Sequence, residues 1–203
     1  RTVAIEYTGS AVVGAGRERY FYTVRGVSAN SFAITKNELG AGRFFSDDED
    51  LAAARLAVIG DKVAEQLYGG VPFATGQPID IDGVRFEVVG VLINRTNLGM
   101  MGSFSDPAEE VLVPYRAARL RLFRNQMSPD VNVSRLTVQA RNRAAVADAE
   151  RQVTLALRDR HRLTYQPNDF NIQSVDQLAE QVQLALAGFS IFLSVIGAKM
   201  LLG

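Results

Sequence analysis

Residues 78–91 read PIDIDGVRFEVVGV, and they contain the clearest turn signal of the chain. Apolar and polar residues alternate on both sides of Asp82-Gly83, as expected for two half-buried strands. Both central positions of a type I′ turn require a positive φ, which Asp and Gly tolerate well. The segment therefore predicts a β-hairpin whose strands lie at 78–81 and 84–91.

Short strands are also predicted on either side of this hairpin. The segments 2–7, 19–25, 56–59 and 111–114 are rich in β-branched and aromatic residues. A short helix at 62–68 has Val63, Ala64 and Leu67 on one face and ends at Gly69-Gly70, a common C-terminal cap. Residues 115–123 predict a basic helix, and residues 94–107 predict a long exposed loop.

The pattern changes after residue 133. A strand at 135–140, an amphipathic helix at 142–161 and a second strand at 170–173 form a predicted β-α-β unit. Such a unit needs another strand beside it, and segment 2–7 is the candidate. The chain therefore predicts an α+β fold in two parts, one comprising 1–12 and 130–175 and the other an inserted mixed α/β part at 13–129.

The C-terminal segment predicts a membrane-spanning helix. Residues 181–198 contain no charged side chain, and about 20 apolar residues are needed to cross a bilayer. Ser174 and Gln177 form a capping-box pattern, so we expect 176–203 to be a polar stalk that enters the membrane. A buried helix of a soluble domain is the alternative, which Lys199 favours. The chain starts at Arg1 without a signal peptide, so we expect a piece of a longer protein.

The composition excludes several classes of function. Lys plus Arg and Asp plus Glu both number 22, so no net charge attracts the chain to nucleic acid. The chain has no cysteine, which excludes disulfides and thiolate metal sites.

Four groups of residues are candidates for functional sites, and each has a plainer interpretation. The consecutive carboxylates Asp47, Asp48, Glu49 and Asp50 cannot all face one cation, and they suit a helix cap. The single histidine, His161, lies beside Arg158, Arg160 and Arg162 at a helix end, where cations are favourable. Val13-Gly14-Ala15-Gly16 lacks the third glycine of a dinucleotide fingerprint and predicts a turn. The remaining group is the basic helix with Arg116, Arg119, Arg121 and Arg124, for which a solvated face is expected. The sequence therefore gives no catalytic, cofactor-binding or metal-binding residue, and we expect no enzyme.

Several motifs occur in an order that resembles a known family. They are LGAGRFF at 39–45 followed by the acidic run, LAVIG at 56–60, VAEQLYG at 63–69, the hairpin at 79–91, the strand at 111–114 and the final helix. In order and spacing they resemble the extracytoplasmic domain of MacB-like ABC permeases, a superfamily that includes macrolide exporters and lipoprotein-releasing permeases.

The resemblance implies a periplasmic domain between two membrane helices of an inner-membrane protein. Its first part would be porter-like and built of β-α-β units, with an inserted sabre-like mixed α/β part and a following stalk. The implied function is to couple a cytoplasmic ATPase domain or subunit to a periplasmic substrate, adaptor protein or lipoprotein, in a homodimer or heterodimer of permeases. A soluble α+β binding module or enzyme and a regulator of cell-wall hydrolases remain alternatives. No cofactor and no nucleic acid are expected.

Overall fold

The computed structural model describes residues 2–35, 37–93, 107–123 and 133–174, together with Gln177, Gln183, Leu184 and Leu186. The chain divides into two compact units, residues 1–139 and 140–203. The elements of the first unit are β1 Thr2–Ala15, β2 Glu18–Val27, α1 Ser31–Thr35, β3 Glu38–Gly42, α2 Asp47–Leu51, β4 Leu56–Gly60, α3 Asp61–Tyr68, α4 Val71–Ala74, β5 Pro78–Ile81, β6 Val84–Ile93, β7 Glu110–Pro114, α5 Tyr115–Ala117 and β8 Arg135–Gln139. The second unit contains α6 Val146–Arg160.

Six strands of the first unit pair in a closed ring. The order is β2, β7, β4, β6, β5 and β1, and β1 returns to pair with β2. The pairs β2–β7 and β4–β6 are parallel, and the other neighbours in the ring are antiparallel. The first half of β1 extends beyond the ring and pairs with β8, while β3 pairs with β6.

The predicted hairpin is confirmed, and its turn has the expected backbone. Ile81 pairs with Val84, and the two turn residues Asp82 and Gly83 have φ values of 47° and 81°. The Asp82 carboxylate also accepts a hydrogen bond from the backbone N–H of Val12 at 2.8 Å. The turn side chain therefore ties the hairpin to β1.

All six strands of the ring contribute to one apolar core. Side chains such as Val13, Val24, Ile59 and Phe86 are almost fully buried there. α3 packs on this core through Val63 and Ala64, and it ends at Gly69 with φ 80° in the left-handed region, as its sequence predicts.

A second core explains the motif at 39–45. Phe45 is buried with Phe32 of α1, and Phe44 stacks on Phe32 with ring centroids 3.8 Å apart. Gly42 has φ +74°, and a Cβ atom there would lie 2.1 Å from the Val89 carbonyl oxygen. Only glycine fits this close approach of β3 to β6.

Most other predicted elements are confirmed, with longer strands than expected at 2–15 and 18–27. The basic helix begins as α5 and continues as a π-helical turn, Ala118–Leu122. The predicted helix at 142–161 begins with a 3-10 turn at Arg143–Ala145 before α6. Phe123, which follows the π-helical turn, is buried, and its ring lies where a Cβ atom of Gly9 would be.

One strand prediction is wrong, because residues 170–173 form no strand. A strand needs a partner edge, and on β1, its expected neighbour, β8 pairs with Thr2–Glu6 and β2 pairs from Glu6 onward. Side-chain bonds also hold the preceding segment at the end of α6, where Asp169 binds His161.

The predicted stalk and membrane helix at 176–203 lie outside the described residues, apart from four positions. Its cap is confirmed: Gln177 N–H donates to Ser174 Oγ, and Ser174 N–H donates to Gln177 Oε1, both at 3.3 Å. Among the helices of the described ranges, none has the length and apolar character that crossing a membrane requires.

Candidate functional site: an ion cluster where the first strand meets its neighbours

The first half of β1 pairs with β8, the last strand of the first unit. Thr2 pairs with Gln139, the last residue of β8, and Glu6 pairs with Arg135. On its other edge Glu6 pairs with Val27, the last residue of β2. A displacement of this segment therefore acts on two neighbouring strands at once.

Three charged side chains meet beside this segment. The Arg25 guanidinium on β2 donates to both carboxylate oxygens of Glu6 on β1, from Nε at 3.0 Å and from Nη2 at 2.5 Å. Its Nη1 donates to Glu110 Oε2 on β7 at 2.5 Å. The Glu110 side chain is only 2% exposed, and those of Arg25 and Glu6 are 15% and 13% exposed. One guanidinium thus links three strands.

The protonation behaviour of this ion cluster follows from its geometry. Burial alone would raise the pKa of Glu6, but hydrogen bonds and charge attraction from Arg25 outweigh it and leave the pKa below its ordinary value. Burial would lower the pKa of Arg25, and its two carboxylate partners raise it instead. The Glu6 contribution to stability is therefore present above its ordinary pKa of 4.5 and is lost as the pH falls through the lower folded-state pKa.

Side-chain hydrogen bonds reinforce the same segment of β1. Ile5 N–H donates to Ser28 Oγ at 2.9 Å, and Thr8 N–H donates to Ser134 Oγ at 3.1 Å. The Asn30 amide donates to the Val3 carbonyl oxygen at 2.7 Å. These bonds fasten β1 to the residues that follow β2 and precede β8. The cluster is suited to hold strands together, since its charges are all engaged with one another.

The acidic run at 47–50 forms the first turn of helix α2 and contributes to its N-terminal cap, as predicted. Ser46 and Glu49 form a capping box there, and the Asp50 carboxylate accepts from the Arg116 N–H at 3.1 Å. Glu49 also receives two bonds from the Arg43 guanidinium, at 2.7 and 2.8 Å. Within the described ranges, no group of three or more His, Asp or Glu residues could hold a metal ion.

The Arg43–Glu49 pair makes stability depend on pH. Its hydrogen bonds lower the pKa of Glu49 to about 2, from an ordinary 4.5. Its contribution is thus complete above pH 4.5 and is lost as the pH falls toward 2. We expect Glu49→Gln, which preserves the capping box, to reduce the free energy of unfolding by less than about 1 kcal/mol near neutrality. In urea unfolding the difference from the wild type should shrink below pH 4.5 and disappear only below pH 2, and an equal difference at pH 7 and below pH 2 would contradict this assignment.

The other three candidate groups are His161, the segment 13–16 and the basic helix, and each lies in an ordinary structural position. His161 Nδ1 lies 2.8 Å from Asp169 Oδ1 at the end of α6. The turn expected at 13–16 lies instead at Gly16-Arg17, because 13–15 continue β1. Arg116, Arg119 and Arg121 are exposed, as expected for a solvated face. Arg124 and residues 94–106 of the expected loop lie outside the described residues.

Sequence reasoning missed all three members of the ion cluster. A signal was present, since Glu6, Arg25 and Glu110 each stand within or beside a run of apolar strand residues. A charge in such a run is buried only when it finds a partner. The pairing itself could not be inferred, because Arg25 and Glu110 are separated by 85 positions.

Residues 1–156 match the family model described as MacB-like periplasmic core domain. The pyoverdine export ATP-binding/permease protein PvdT of Pseudomonas entomophila is 29% identical over 96% of this chain and 28% of its own length. PvdT of Pseudomonas fluorescens is 34% identical over 70% of this chain and 20% of its own length. The macrolide export ATP-binding/permease protein MacB of Wolinella succinogenes is 28% identical over 86% of this chain and 26% of its own length. The chain thus spans only about a quarter of these relatives.

Two solved structures share the fold. The periplasmic region of MacB from Actinobacillus actinomycetemcomitans matches with a TM-score of 0.72 at 16% identity, over 90% of this chain and 76% of that structure. The extracellular domain of the noncanonic ABC-type transporter YknZ from Gram-positive bacteria matches with a TM-score of 0.66 at 21% identity, over 81% of this chain and 78% of that structure. The mixed α/β fold is therefore common to all three.

Proposed function

The chain belongs to the family of MacB-like periplasmic core domains, as its motifs suggested, and from this membership we propose that it is the extracytoplasmic part of an ABC-type export permease. In this proposal the domain faces the periplasm and belongs to a protein of the inner membrane. It couples ATP hydrolysis, carried out on another segment or subunit, to a periplasmic substrate or adaptor.

The arrangement of β1 is the observation that supports coupling best. This strand has 14 residues and is unbroken from Thr2 to Ala15. At about 3.3 Å per residue it spans roughly 45 Å. Its first half is fixed by β8, β2 and the ion cluster, and its second half is part of the ring. A movement delivered at Thr2 would therefore be carried into the whole first unit.

The wider organisation is part of the same proposal. We assign residues 1–12 and 130–175 to a porter-like part, residues 13–129 to the inserted part and residues 176–203 to the stalk. The capping box of Ser174 and Gln177 supports a helix that begins at the expected position. Relatives that are named for the export of pyoverdine and of macrolides suggest a small exported molecule as the substrate.

Cross-linking in cells followed by purification of the intact protein tests this function. We expect an ABC-type ATPase to be recovered, either in the same polypeptide or as a subunit, together with a periplasmic adaptor protein or lipoprotein. A parallel purification without cross-linker identifies which contacts are stable. Recovery of neither an ATPase nor a periplasmic partner would remove the basis of the proposal.

A further inference from the structure

A loop in the second unit presents one fully exposed aromatic side chain. The Tyr165 loop, residues 162–168, follows the C-terminus of α6. The Tyr165 side chain is 101% exposed, so it has no measurable contact that shields it from solvent. A single exposed aromatic ring is ordinary on a protein surface, and what distinguishes Tyr165 is the order of its loop and the charges around it.

The Tyr165 loop is held in place by one arginine. The Arg158 guanidinium donates from Nη2 to the Thr164 carbonyl oxygen at 2.9 Å and from Nη1 to the Gln166 carbonyl oxygen at 3.1 Å. Nη1 also donates to Asn168 Oδ1 at 2.7 Å. The backbone is thus fixed on both sides of Tyr165.

Two more interactions restrict the same loop. The Thr164 N–H donates to Gln166 Oε1 at 3.0 Å, which closes a local turn around Tyr165. Just beyond the loop, Asp169 binds His161, and the Phe170 ring meets the imidazole edge to face at 6.0 Å. Ordering such a loop costs conformational entropy, and burial of Tyr165 does not offset that cost. A loop ordered in advance loses less entropy when it binds a partner.

The charges around Tyr165 indicate what kind of partner fits. Arg160 and Arg162 are exposed, and neither has an ion-pair partner among the residues that the structure describes. Arg158 binds only uncharged acceptors, so its charge is not neutralised either. Two carboxylates lie nearby in the chain. Asp169 is paired with His161, and Asp159 is exposed and is outnumbered by the three arginines. The rim of the loop is therefore basic, and it complements an acidic surface.

We propose that the Tyr165 loop is a docking element that inserts its tyrosine into an apolar, acid-rimmed pocket of a periplasmic protein. This inference rests on the proposed function, because it assigns a contact surface to the periplasmic partner. Rigid aromatic anchors with neighbouring arginines are the side chains that dominate protein interfaces. Tyr165 is the anchor, Arg158 positions it, and Arg160 and Arg162 select the acidic partner.

The test uses photo-cross-linking in cells that express the intact protein. Benzoylphenylalanine replaces Tyr165, and in a matched control it replaces Phe73, which is 64% exposed in α4 of the first unit. We expect an adduct from position 165 that is absent from position 73 and maps to an acidic segment of one periplasmic protein. Arg160→Glu with Arg162→Glu should reduce the yield about ten-fold or more, and reversing the acidic residues of that partner segment should restore it.

A second set of variants separates docking from folding. Tyr165→Ser should leave the melting temperature of the chain unchanged, because the side chain is exposed, and should abolish co-purification of the partner. Arg158→Met should weaken the adduct at 165 and speed hydrogen exchange of amides 163–168. No adduct at 165, the same adduct at 73, or an adduct indifferent to charge reversal would overturn the proposal.

Lipid is the competing target for an exposed tyrosine with arginines. Flotation of the chain with vesicles of phosphatidylcholine and phosphatidylglycerol tests it, and we expect no binding that depends on Tyr165. Binding lost in Tyr165→Ser would assign the loop to the membrane and overturn the protein contact. If an ATPase is recovered with the intact protein while position 165 gives no adduct, the docking inference fails and the transport function stands.

Discussion

Arg25→Met should reduce the free energy of unfolding of the first unit by about 3–5 kcal/mol, the largest effect of any single charged residue discussed above. The substitution retains the length and apolar stem of the side chain but removes the guanidinium that pairs with Glu6 and Glu110, whose side chains are only 13% and 2% exposed. An uncompensated buried charge is much more unfavourable than the pair was favourable. Hydrogen exchange of buried amides in β1, β2 and β7 measures the effect without requiring the two units to unfold together.

Arg43→Met is the matched control for this prediction. Arg43 also pairs with a carboxylate, but its side chain is 56% exposed, so we expect a loss below about 1 kcal/mol. Replacing all three members of the cluster with apolar residues of similar volume should recover much of the stability, because no buried charge then remains. If Arg25→Met and Arg43→Met cost the same, the cluster does not hold the strands together.

Phe86→Ala should reduce the free energy of unfolding by about 3–5 kcal/mol, through the cavity it leaves in the core of the ring. Phe86 is 2% exposed and is among the largest fully buried side chains of the described residues. Its strand, β6, pairs with β5 and β4 of the ring, so the cavity would loosen both contacts.

Phe21→Ala provides the comparison for the core, since it removes the same atoms from a side chain that is 72% exposed. We expect a change within about 0.5 kcal/mol. Urea unfolding of Phe86→Ala and of Phe21→Ala measures the two free energies of unfolding. Equal losses at the two positions would mean that the ring does not enclose the core described here.

Local sequence signals predicted the elements whose structure is determined locally. Asp82-Gly83 fixed a hairpin because the turn backbone depends on those two residues alone, and Gly69 ended α3 for the same kind of reason. The capping box at Ser174 needs only residues within one turn of helix. These features depend on neighbours along the chain, which the sequence shows directly.

The closure of the ring could not be predicted, because it depends on contacts between distant segments. β2 pairs in parallel with β7, so that Val24 lies beside Val111, although the two are far apart in sequence. Nothing in the sequence of either strand identifies the other as its partner. The wrong strand at 170–173 has the same origin, since its apolar alternation is local and cannot show whether another strand pairs with it. The ion cluster was missed likewise, although isolated charges within apolar strands gave a hint. The family resemblance supplied the long-range information that periodicity lacks.

Our central proposal is that a cytoplasmic ATPase moves the first unit as a whole, with β1 as the connection. The chain has no cysteine, so single fluorophores can be attached at chosen positions after cysteine substitution. The measurement is energy transfer in the intact complex in lipid nanodiscs, from a donor at Arg17 at the tip of the β1–β2 hairpin to an acceptor on the ATPase. A second pair, Arg17 and Gln77, reports distances within the first unit. We expect ATP binding to change the first distance and to leave the second unchanged. A first distance that does not respond to ATP would contradict it.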